Sequence, residues 1–469
     1  MLPAPPIVIC GLAVCLLSGC LGTTPHAQLR TIVVADPFGK DSLGSFTDTT
    51  NLIDKALAHN IGERIVERYK EFDLDVVEFD DQGKLWNKDQ LDALDNLAND
   101  PEAIRNGAMI LVFVHGWQEN ADVANPTVDR FRHMLYRWNL DEGPDGRRII
   151  GIYVGWRGQS QRLPFLKYLT FWTRKKAAHK IGRGDMDELL VHLDELKHRL
   201  TNAKTTAKPN GTRLVVIGHS FGGAIVFSAL DNILKKSTMA SVLPFERNET
   251  NTVGVITAGN IDLVVLLNPA FETLLYSGLA EATMNCTNFN PSQTTVLMTI
   301  GAENDQATAA SFPMGQFFPT LLQNFKIGSD ERVMNRTALG HYTRYFDYQL
   351  SGNSATNSDD ATASDTKRQR MPMTRRTKAD FQAAARVSTK GIATSLSSLA
   401  GSHWKLVPYP GKPEPALHAP FLVISATPDI VNNHTGIWKP ALIEFLRDFI
   451  GVHDARKADI EKNQPPLKP

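Results

Sequence analysis

The stretch that decides the fold is residues 214–223, which read Leu-Val-Val-Ile-Gly-His-Ser-Phe-Gly-Gly. The first four residues are apolar and mostly β-branched, as in a central parallel strand that is buried on both faces. Residues 224–227 continue as a buried helix, so Ser220 is predicted to lie at a strand-to-helix corner. Gly218 and Gly222 flank the serine, because a side chain at either position would collide with a neighbouring element. Such a corner exposes the serine hydroxyl to a cleft.

Strands and helices alternate along the chain on both sides of this corner. Eight apolar runs have the length and composition of strands; they are residues 31–35, 74–79, 109–114, 149–154, 214–217, 263–267, 296–300 and 421–425. Segments with helical periodicity separate most of them, at residues 52–68, 123–138, 185–200, 224–235 and 439–449. This alternation predicts an α/β fold with a doubly wound, mostly parallel, eight-stranded sheet that helices cover on both faces.

Most of the chain is predicted to form one domain. The sequence has 469 residues, of which 42% are hydrophobic, and it can therefore bury a large core. We expect this domain to cover residues 29–452, with an insertion at about residues 309–420 before the last strand and a polar tail at residues 453–469. Within the insertion, residues 351–378 are too polar to pack a core and are predicted to be disordered.

The start of the chain has the pattern of an export signal. Residues 7–17 form an apolar stretch that is too short to span a bilayer comfortably, and Leu-Ser-Gly-Cys follows, ending at Cys20. This tetrapeptide resembles the lipobox of bacterial lipoproteins. The resemblance implies a signal peptide over residues 1–19, acylation of Cys20 and a lipidated tether at residues 20–28 that holds the protein on a membrane. Because Leu21 is not the aspartate associated with inner-membrane retention, the outer membrane is favoured; a plain cleaved secretory signal is the alternative.

Charge and cysteine content exclude several classes of protein. Lys and Arg number 50, as do Asp and Glu, and no basic stripe is present, so no nucleic-acid partner is expected. Neutrality fits an uncharged or apolar substrate. The histidines lack metal-ligand spacing, and we expect no metal. After loss of the leader and acylation of Cys20, only Cys286 remains as a free thiol, so no internal disulfide is predicted.

A serine hydroxyl needs a neighbouring imidazole to take its proton and a carboxylate to orient that imidazole. Asp305 lies just past a late strand and is the expected acid. A helix cap is its other common use, and Glu303 or Glu272 are alternative acids. His434, between the last strand and the last helix, is the expected base, with His341 as the runner-up.

A second glycine turn precedes the serine corner in the chain. Attack on a carbonyl creates an oxyanion, which needs preorganised backbone N–H donors. The strand at residues 109–114 runs into His115-Gly116-Trp117, which resembles the oxyanion-loop His-Gly of lipases and esterases. The resemblance implies that the backbone amides of Trp117 and Phe221 are the two donors. His219, next to the serine, is predicted to pack or hydrogen-bond beneath it.

Together, the His-Gly turn, the glycine-flanked serine, Asp305 and His434 resemble the α/β hydrolase superfamily, specifically its serine lipase/esterase branch. In that family the serine corner is called the nucleophile elbow. The resemblance implies a membrane-tethered serine hydrolase that cleaves ester or lipid substrates through an acyl-enzyme, without a metal or organic cofactor. The same residues also fit a thioesterase, amidase or peptidase, and a non-catalytic ligand-binding lipoprotein is the alternative of a different class.

Overall fold

The computed structural model describes residues 31–33, 66–122, 125–142, 146–158, 171–203, 211–313, 324–326, 328–353, 373–387 and 391–463. Several sequence predictions lie outside these residues. They are the signal peptide, the lipidated Cys20, the tether and most of the polar segment at residues 351–378. Among the described residues, no helix combines the length and the apolar character that crossing a bilayer requires.

An 11-stranded, mostly parallel sheet forms the centre of the protein. Its strands are β1 (Thr31–Val33), β2 (Val66–Arg68), β3 (Phe72–Phe79), β4 (Ala108–Val114), β5 (Arg148–Trp156), β6 (Arg213–His219), β7 (Leu263–Leu267), β8 (Leu297–Ala302), β9 (Tyr348–Gly352), β10 (Trp404–Pro408) and β11 (Phe421–Ala426). They lie in the order β1-β2-β3-β5-β4-β6-β7-β8-β11-β9-β10. Neighbouring strands are parallel except for the antiparallel pairs β2–β3 and β9–β10.

The predicted α/β class and mostly parallel sheet are confirmed, but the predicted count of eight strands is wrong. Each predicted run coincides with a strand, and β2, β9 and β10 are additional. The helix predicted for residues 52–68 is contradicted at its end, where β2 pairs with β3. β9 and β10 belong to the predicted insertion and extend the sheet beyond β11.

Helices cover both faces of the sheet. They are α1 (Asp89–Leu97), α2 (Pro101–Asn106), α3 (Pro126–Glu142), α4 (Phe171–Gly182), α5 (Met186–Thr201), α6 (Phe221–Glu246), α7 (Thr273–Thr283), α8 (Glu331–Arg336), α9 (Lys378–Arg386), α10 (Ile392–Ser397) and α11 (Pro440–Asn463). A π-helical turn lies at Ala307–Ser311, and 3-10 turns lie at Leu339–His341 and Thr343–Tyr345. α11 continues past the predicted end of the domain, so residues 453–463 of the predicted polar tail are helical.

Two apolar clusters, one on each face of the sheet, form the core. All residues of β4 are buried, and alternate residues serve opposite clusters: Ile110 and Val112 belong to one, Leu111 and Phe113 to the other. The reason is the two-residue period of a strand, which directs successive side chains to opposite faces. A fully apolar sequence such as that of β4 is therefore stable only in a sheet that is covered on both sides.

The sheet order determines where the candidate site lies. β6, β7, β8 and β11 are consecutive, parallel neighbours, so their carboxyl ends meet at one edge of the sheet. Ser220 follows β6, Asp305 follows the end of β8, and His434 follows β11. Loops at the carboxyl edge of a parallel sheet are the usual place for a functional site.

Candidate active site

The backbone of Ser220 is strained. Its φ of 56° and ψ of −121° lie in a region that L-residues rarely adopt. Two hydrogen bonds hold this conformation: the Ser220 N–H donates to the Leu267 carbonyl at 3.0 Å, and the Ser220 carbonyl accepts from the Ala270 N–H at 3.1 Å. Both partners belong to the end of β7 and the loop after it, so the neighbouring strand locks the corner.

The glycines beside Ser220 make this corner sterically feasible. A Cβ on Gly218 would lie 2.8 Å from the Gly222 carbonyl oxygen, and a Cβ on Gly222 would lie 2.6 Å from the His115 carbonyl oxygen. In the facing loop, a Cβ on Gly116 would lie 2.8 Å from the Ser220 Cβ. Glycine at these positions lets β6, α6 and the loop after β4 approach within backbone contact.

The structure brings Ser220, His434 and Asp305 into one hydrogen-bonded chain. The Ser220 hydroxyl lies 2.7 Å from His434 Nε2, and His434 Nδ1 lies 2.7 Å from Asp305 Oδ2. Because the carboxylate only accepts, Nδ1 carries the proton and Nε2 accepts from the serine hydroxyl. Ser220 is 2% exposed and the Asp305 side chain is 0% exposed, whereas the His434 side chain is 19% exposed.

Asp305 combines both uses that the sequence suggested for it. Its Oδ1 accepts from the N–H groups of Ala307 and Thr308, at 2.9 and 3.2 Å, and thereby caps the π-helical turn. Its Oδ2 accepts from His434 and, at 2.5 Å, from the Thr308 hydroxyl. Burial raises the pKa of Asp305, but the hydrogen bond and charge of His434 and the bonds from Thr308 outweigh it, so the pKa lies below its usual value.

The alternative acids and the alternative base lie elsewhere. Glu303 is exposed, and its Oε1 accepts from Gln349 Nε2 and Ser425 Oγ. Glu272 forms an ion pair with Lys175 at 2.5 Å. The runner-up base, His341, contacts the Thr308 hydroxyl and not Ser220.

His341 extends the hydrogen-bonded chain behind the carboxylate. The Thr308 hydroxyl donates to Asp305, so it must accept from His341 Nε2–H, which lies 2.7 Å away. Burial lowers the pKa of His341, which keeps its ring neutral. The turn that carries His341 reaches β8 through glycine contacts, since a Cβ on Gly301 would lie 2.5 Å from the Gly340 carbonyl oxygen. The sequence contained no local signal for the contribution of Thr308.

Hydrogen bonds fix the backbone of His434 as well as its ring. Its carbonyl accepts from His219 Nε2–H at 2.9 Å and from Asn268 Nδ2 at 2.9 Å. Asn268 in turn accepts from the Ala302 N–H at 2.8 Å. Burial, together with the charge of His434, lowers the pKa of His219 to about 3, so its ring is a neutral donor. The position of His219 agrees with the prediction that it hydrogen-bonds beside the serine.

His115 fixes the loop after β4. Its Nε2 accepts from the Trp156 N–H at 3.0 Å, so the proton is on Nδ1, which donates to the Gly116 carbonyl at 2.9 Å. The Trp156 indole donates to the His115 carbonyl at 2.8 Å. The loop passes beside the serine, since a Cβ on Gly116 would lie 2.8 Å from the Ser220 Cβ, and Phe221 is the first residue of α6. First-turn amides of a helix have no partner within the helix.

Within the residues that the structure describes, no group of three or more His, Cys, Asp or Glu side chains is arranged to hold a metal ion. Cys286 is a buried free thiol. Comparison of the chain with models of protein families, with curated proteins and with solved structures finds no match. The class that fold and site define is an α/β protein with a Ser-His-Asp hydrogen-bonded chain at the carboxyl edge of its sheet.

Proposed function

We propose that this protein is a serine hydrolase that cleaves carboxylic esters through an acyl-enzyme. The observation that carries the proposal is the continuous chain from the Ser220 hydroxyl through His434 to Asp305, with 2.7 Å at each step. As the hydroxyl oxygen attacks the ester carbonyl carbon, its proton passes to His434 Nε2, and the Asp305 carboxylate stabilises the imidazolium that forms.

Two backbone amides are proposed to stabilise the negative charge that develops on the carbonyl oxygen. We assign the role to the amides of Trp117, in the loop that passes beside Ser220, and of Phe221, and the amino terminus of the 26-residue helix α6 adds a favourable dipole. The C–O bond to the alcohol then breaks as His434 returns the proton to the leaving oxygen. Water, deprotonated by the same imidazole, attacks the acyl-serine and releases the acid.

The topology supports membership of the α/β hydrolase superfamily as part of this proposal. The strands from β3 to β8 and β11 follow the order β3-β5-β4-β6-β7-β8-β11, and the serine follows β6 near the middle of the sheet. The order Ser, Asp, His along the chain is the one that this superfamily uses. We assign β9 and β10 to an addition at the sheet edge.

The proposal includes a location at the bacterial outer membrane. It rests on the sequence resemblance around Cys20, which implies acylation there, and an anchor of this kind would place the site near lipid esters. Growth of producing cells with a clickable palmitate analogue tests it: we expect the full-length protein to be labelled and Cys20→Ala to remain unlabelled. Label on the Cys20→Ala protein would contradict acylation at that residue.

A fluorophosphonate probe and a series of nitrophenyl esters of increasing chain length test the catalytic proposal on the full-length protein. We expect covalent labelling and ester hydrolysis in the wild type, and neither in Ser220→Ala. Ser228→Ala is the matched control, because Ser228 also lies in contact with a histidine, His179 at 2.9 Å, but within helix α6 and away from the corner. This variant should behave as the wild type does.

Two outcomes would contradict the proposal. A folded protein that neither reacts with the probe nor hydrolyses any ester would favour the ligand-binding alternative. Faster turnover of matched thioesters or anilides than of esters would keep the serine mechanism but change the substrate class.

A further inference from the structure

A small cavity lies at the edge of the sheet opposite the candidate active site. It is bounded by the residues just before β8 and β11 and by the middle of α11, and its volume is about 30 Å³. Its polar lining comprises Thr294, Thr295, His418, His453 and Arg456. This space holds roughly two water-sized groups.

Arg456 has no carboxylate partner among the described residues. Its Nη2 donates to the Pro291 carbonyl at 3.3 Å and to His418 Nε2 at 3.4 Å, which are long contacts to uncharged groups. Burial alone lowers the pKa of Arg456 to about 10. Arg456 is half-buried, whereas the more deeply buried Arg132, Arg148 and Arg213 have the carboxylate partners Glu67, Asp73 and Asp454, respectively. A guanidinium withdrawn from water without an anion is costly, and it attracts one.

His418 supplies a second donor. A guanidinium only donates, so His418 Nε2 accepts from Arg456, and the ring proton of neutral His418 is on Nδ1. That Nδ1 is buried and has no hydrogen-bond partner. The backbone φ of His418 is 67°, an uncommon conformation for a residue other than glycine, and it sets the ring against Arg456.

The remaining polar groups of the cavity add no opposing charge. His453 Nε2 donates to the Thr295 carbonyl at 2.9 Å, and burial lowers its pKa to about 4, so the ring is neutral. Of the acids of α11 near Arg456, Asp454 is engaged by Arg147 and Arg213, and Asp459 is exposed and forms no ion pair with Arg456 in the described part of the chain. The cavity therefore contains one unneutralised cation and one unused N–H donor.

We propose that this cavity binds a small oxyanion, a carboxylate or phosphate group, held by Arg456 and His418. The guanidinium of Arg456 and the Nδ1–H of His418 can only donate, which selects an acceptor-rich, negatively charged ligand. The bound anion would connect α11 to the segment before β11. Because a ligand that binds only the folded state stabilises it, binding should raise the unfolding temperature.

The test is thermal unfolding and calorimetric titration of the full-length protein with potassium phosphate and, separately, potassium acetate at constant ionic strength. We expect at least one of the two anions to raise the unfolding temperature by about 2 °C at ten times its dissociation constant. Arg456→Met, which keeps the apolar stem, should lose the response, and Arg456→Lys should weaken binding about tenfold because the planar fork is lost. Lys462→Met removes the same charge from an exposed position of α11 and should respond as the wild type does.

A soluble short-chain phosphatidylglycerol distinguishes the sources of the anion. If it binds more tightly than inorganic phosphate and Arg456→Met abolishes this binding, the ligand is a lipid headgroup; Arg456-dependent binding of phosphate or acetate alone identifies a free anion. Either result supports the proposal. The absence of any Arg456-dependent response to all three ligands, or an equal loss in Lys462→Met, would overturn it. The outcome is independent of Ser220, so failure of the proposed hydrolase activity leaves it intact.

Discussion

The two edges of the sheet differ in how they are held. At the carboxyl edge, residues other than glycine adopt positive φ angles just after strands; they are Gln118, Ser220, Asn268 and Asn433. At the amino edge, where His418 also has a positive φ, charged side chains at or beside the strand starts form buried ion pairs; they are Arg148–Asp73, Arg213–Asp454 and Lys197–Asp262.

This difference separates stability from function within one sheet. Backbone strain costs free energy and persists only where surrounding contacts enforce it, as the hydrogen bonds to the Leu267 carbonyl and from the Ala270 N–H do at Ser220. Buried ion pairs are strongly coupled, so that loss of one partner is severe. We therefore expect substitutions at the carboxyl edge to change activity and substitutions at the amino edge to change stability.

The largest effect is expected for Asp305→Asn. The backbone N–H groups of Ala307 and Thr308 hold the amide oxygen at the Oδ1 position, so the NH2 faces His434 Nδ1 and donates to it. The neutral ring of His434 then adopts the wrong tautomer, and kcat for ester hydrolysis should fall about 10³- to 10⁴-fold. Glu303→Gln is the matched control: Glu303 follows the same strand but contacts Gln349 and Ser425, so its kcat should stay within about twofold. Equal losses in the two variants would show that Asp305 is not the acid.

At the amino edge, Arg148→Met should lower the free energy of unfolding by about 3 kcal/mol, because the buried Asp73 loses both hydrogen bonds from Arg148 and keeps only Arg68, 4.0 Å away. Denaturant unfolding measures this loss, and activity per folded molecule should not change. The control is Lys88→Met, which breaks an exposed pair with Glu188 and should leave stability unaltered. A fall in activity per folded molecule of Arg148→Met would contradict the expectation that residues at the amino edge affect stability alone.

His219→Gln tests how a neutral buried ring responds to pH. The pKa of His219 is about 3 in the folded state, against 6.5 when unfolded, so below pH 6.5 the unfolded state binds a proton that the folded state does not. The contribution of neutral His219 to the free energy of unfolding is therefore fully present above pH 6.5. It is lost as pH falls from 6.5 towards 3, at about 1.4 kcal/mol per pH unit. In His219→Gln, which retains a donor for the His434 carbonyl, the unfolding free energy should depend less steeply on pH in this window. Identical slopes would mean that His219 is protonated in the folded protein.

The smallest effect is expected for Thr308→Val, which preserves shape but removes the hydroxyl between Asp305 and His341. We expect kcat to fall about tenfold, the equivalent of one hydrogen bond to a charged group. Asp305 also loses part of what lowers its pKa, so activity should disappear at a higher pH on the acid side than in the wild type. Thr308→Ser restores the hydroxyl and should restore both properties; a Ser variant as impaired as the Val variant would assign Thr308 to packing.

The sequence predicts the central strands because each of them contains a run of mainly apolar residues, as burial on both faces requires. β4 and β7 are apolar throughout and buried throughout. The strands that were missed are short or lie towards the sheet edges, and their sequences are mixed: β2 contains Glu67 and Arg68, and β10 contains Lys405 and ends at Pro408. β2 has only three residues, too few for a pattern, although it pairs with the adjacent β3. β10 is stabilised by pairing with β9, a segment far away in the chain, which local composition does not reveal.

The site residues also divide into those that local sequence reveals and those that depend on contacts with segments far away in the chain. Ser220 is recognisable from its immediate neighbours, and Asp305 and His434 from their places after strands. Asn268 and His341 act through contacts with residues 166 and 33 positions away, respectively, which no local pattern contains. An asparagine before a proline after β7 indicates a turn, but not that its amide supports the carbonyl of His434.

The position of β11 in the sheet has a consequence for folding of the chain during its synthesis. β11 is synthesised after β9 and β10, yet it lies between β9 and β8. Until β11 has been synthesised, the antiparallel pair of β9 and β10 has no strand that joins it to β8, and Ser220 lacks its partner His434. Premature termination anywhere upstream of β11 yields a product in which Ser220 lacks His434, so the reactive centre forms only after residue 434 has been synthesised.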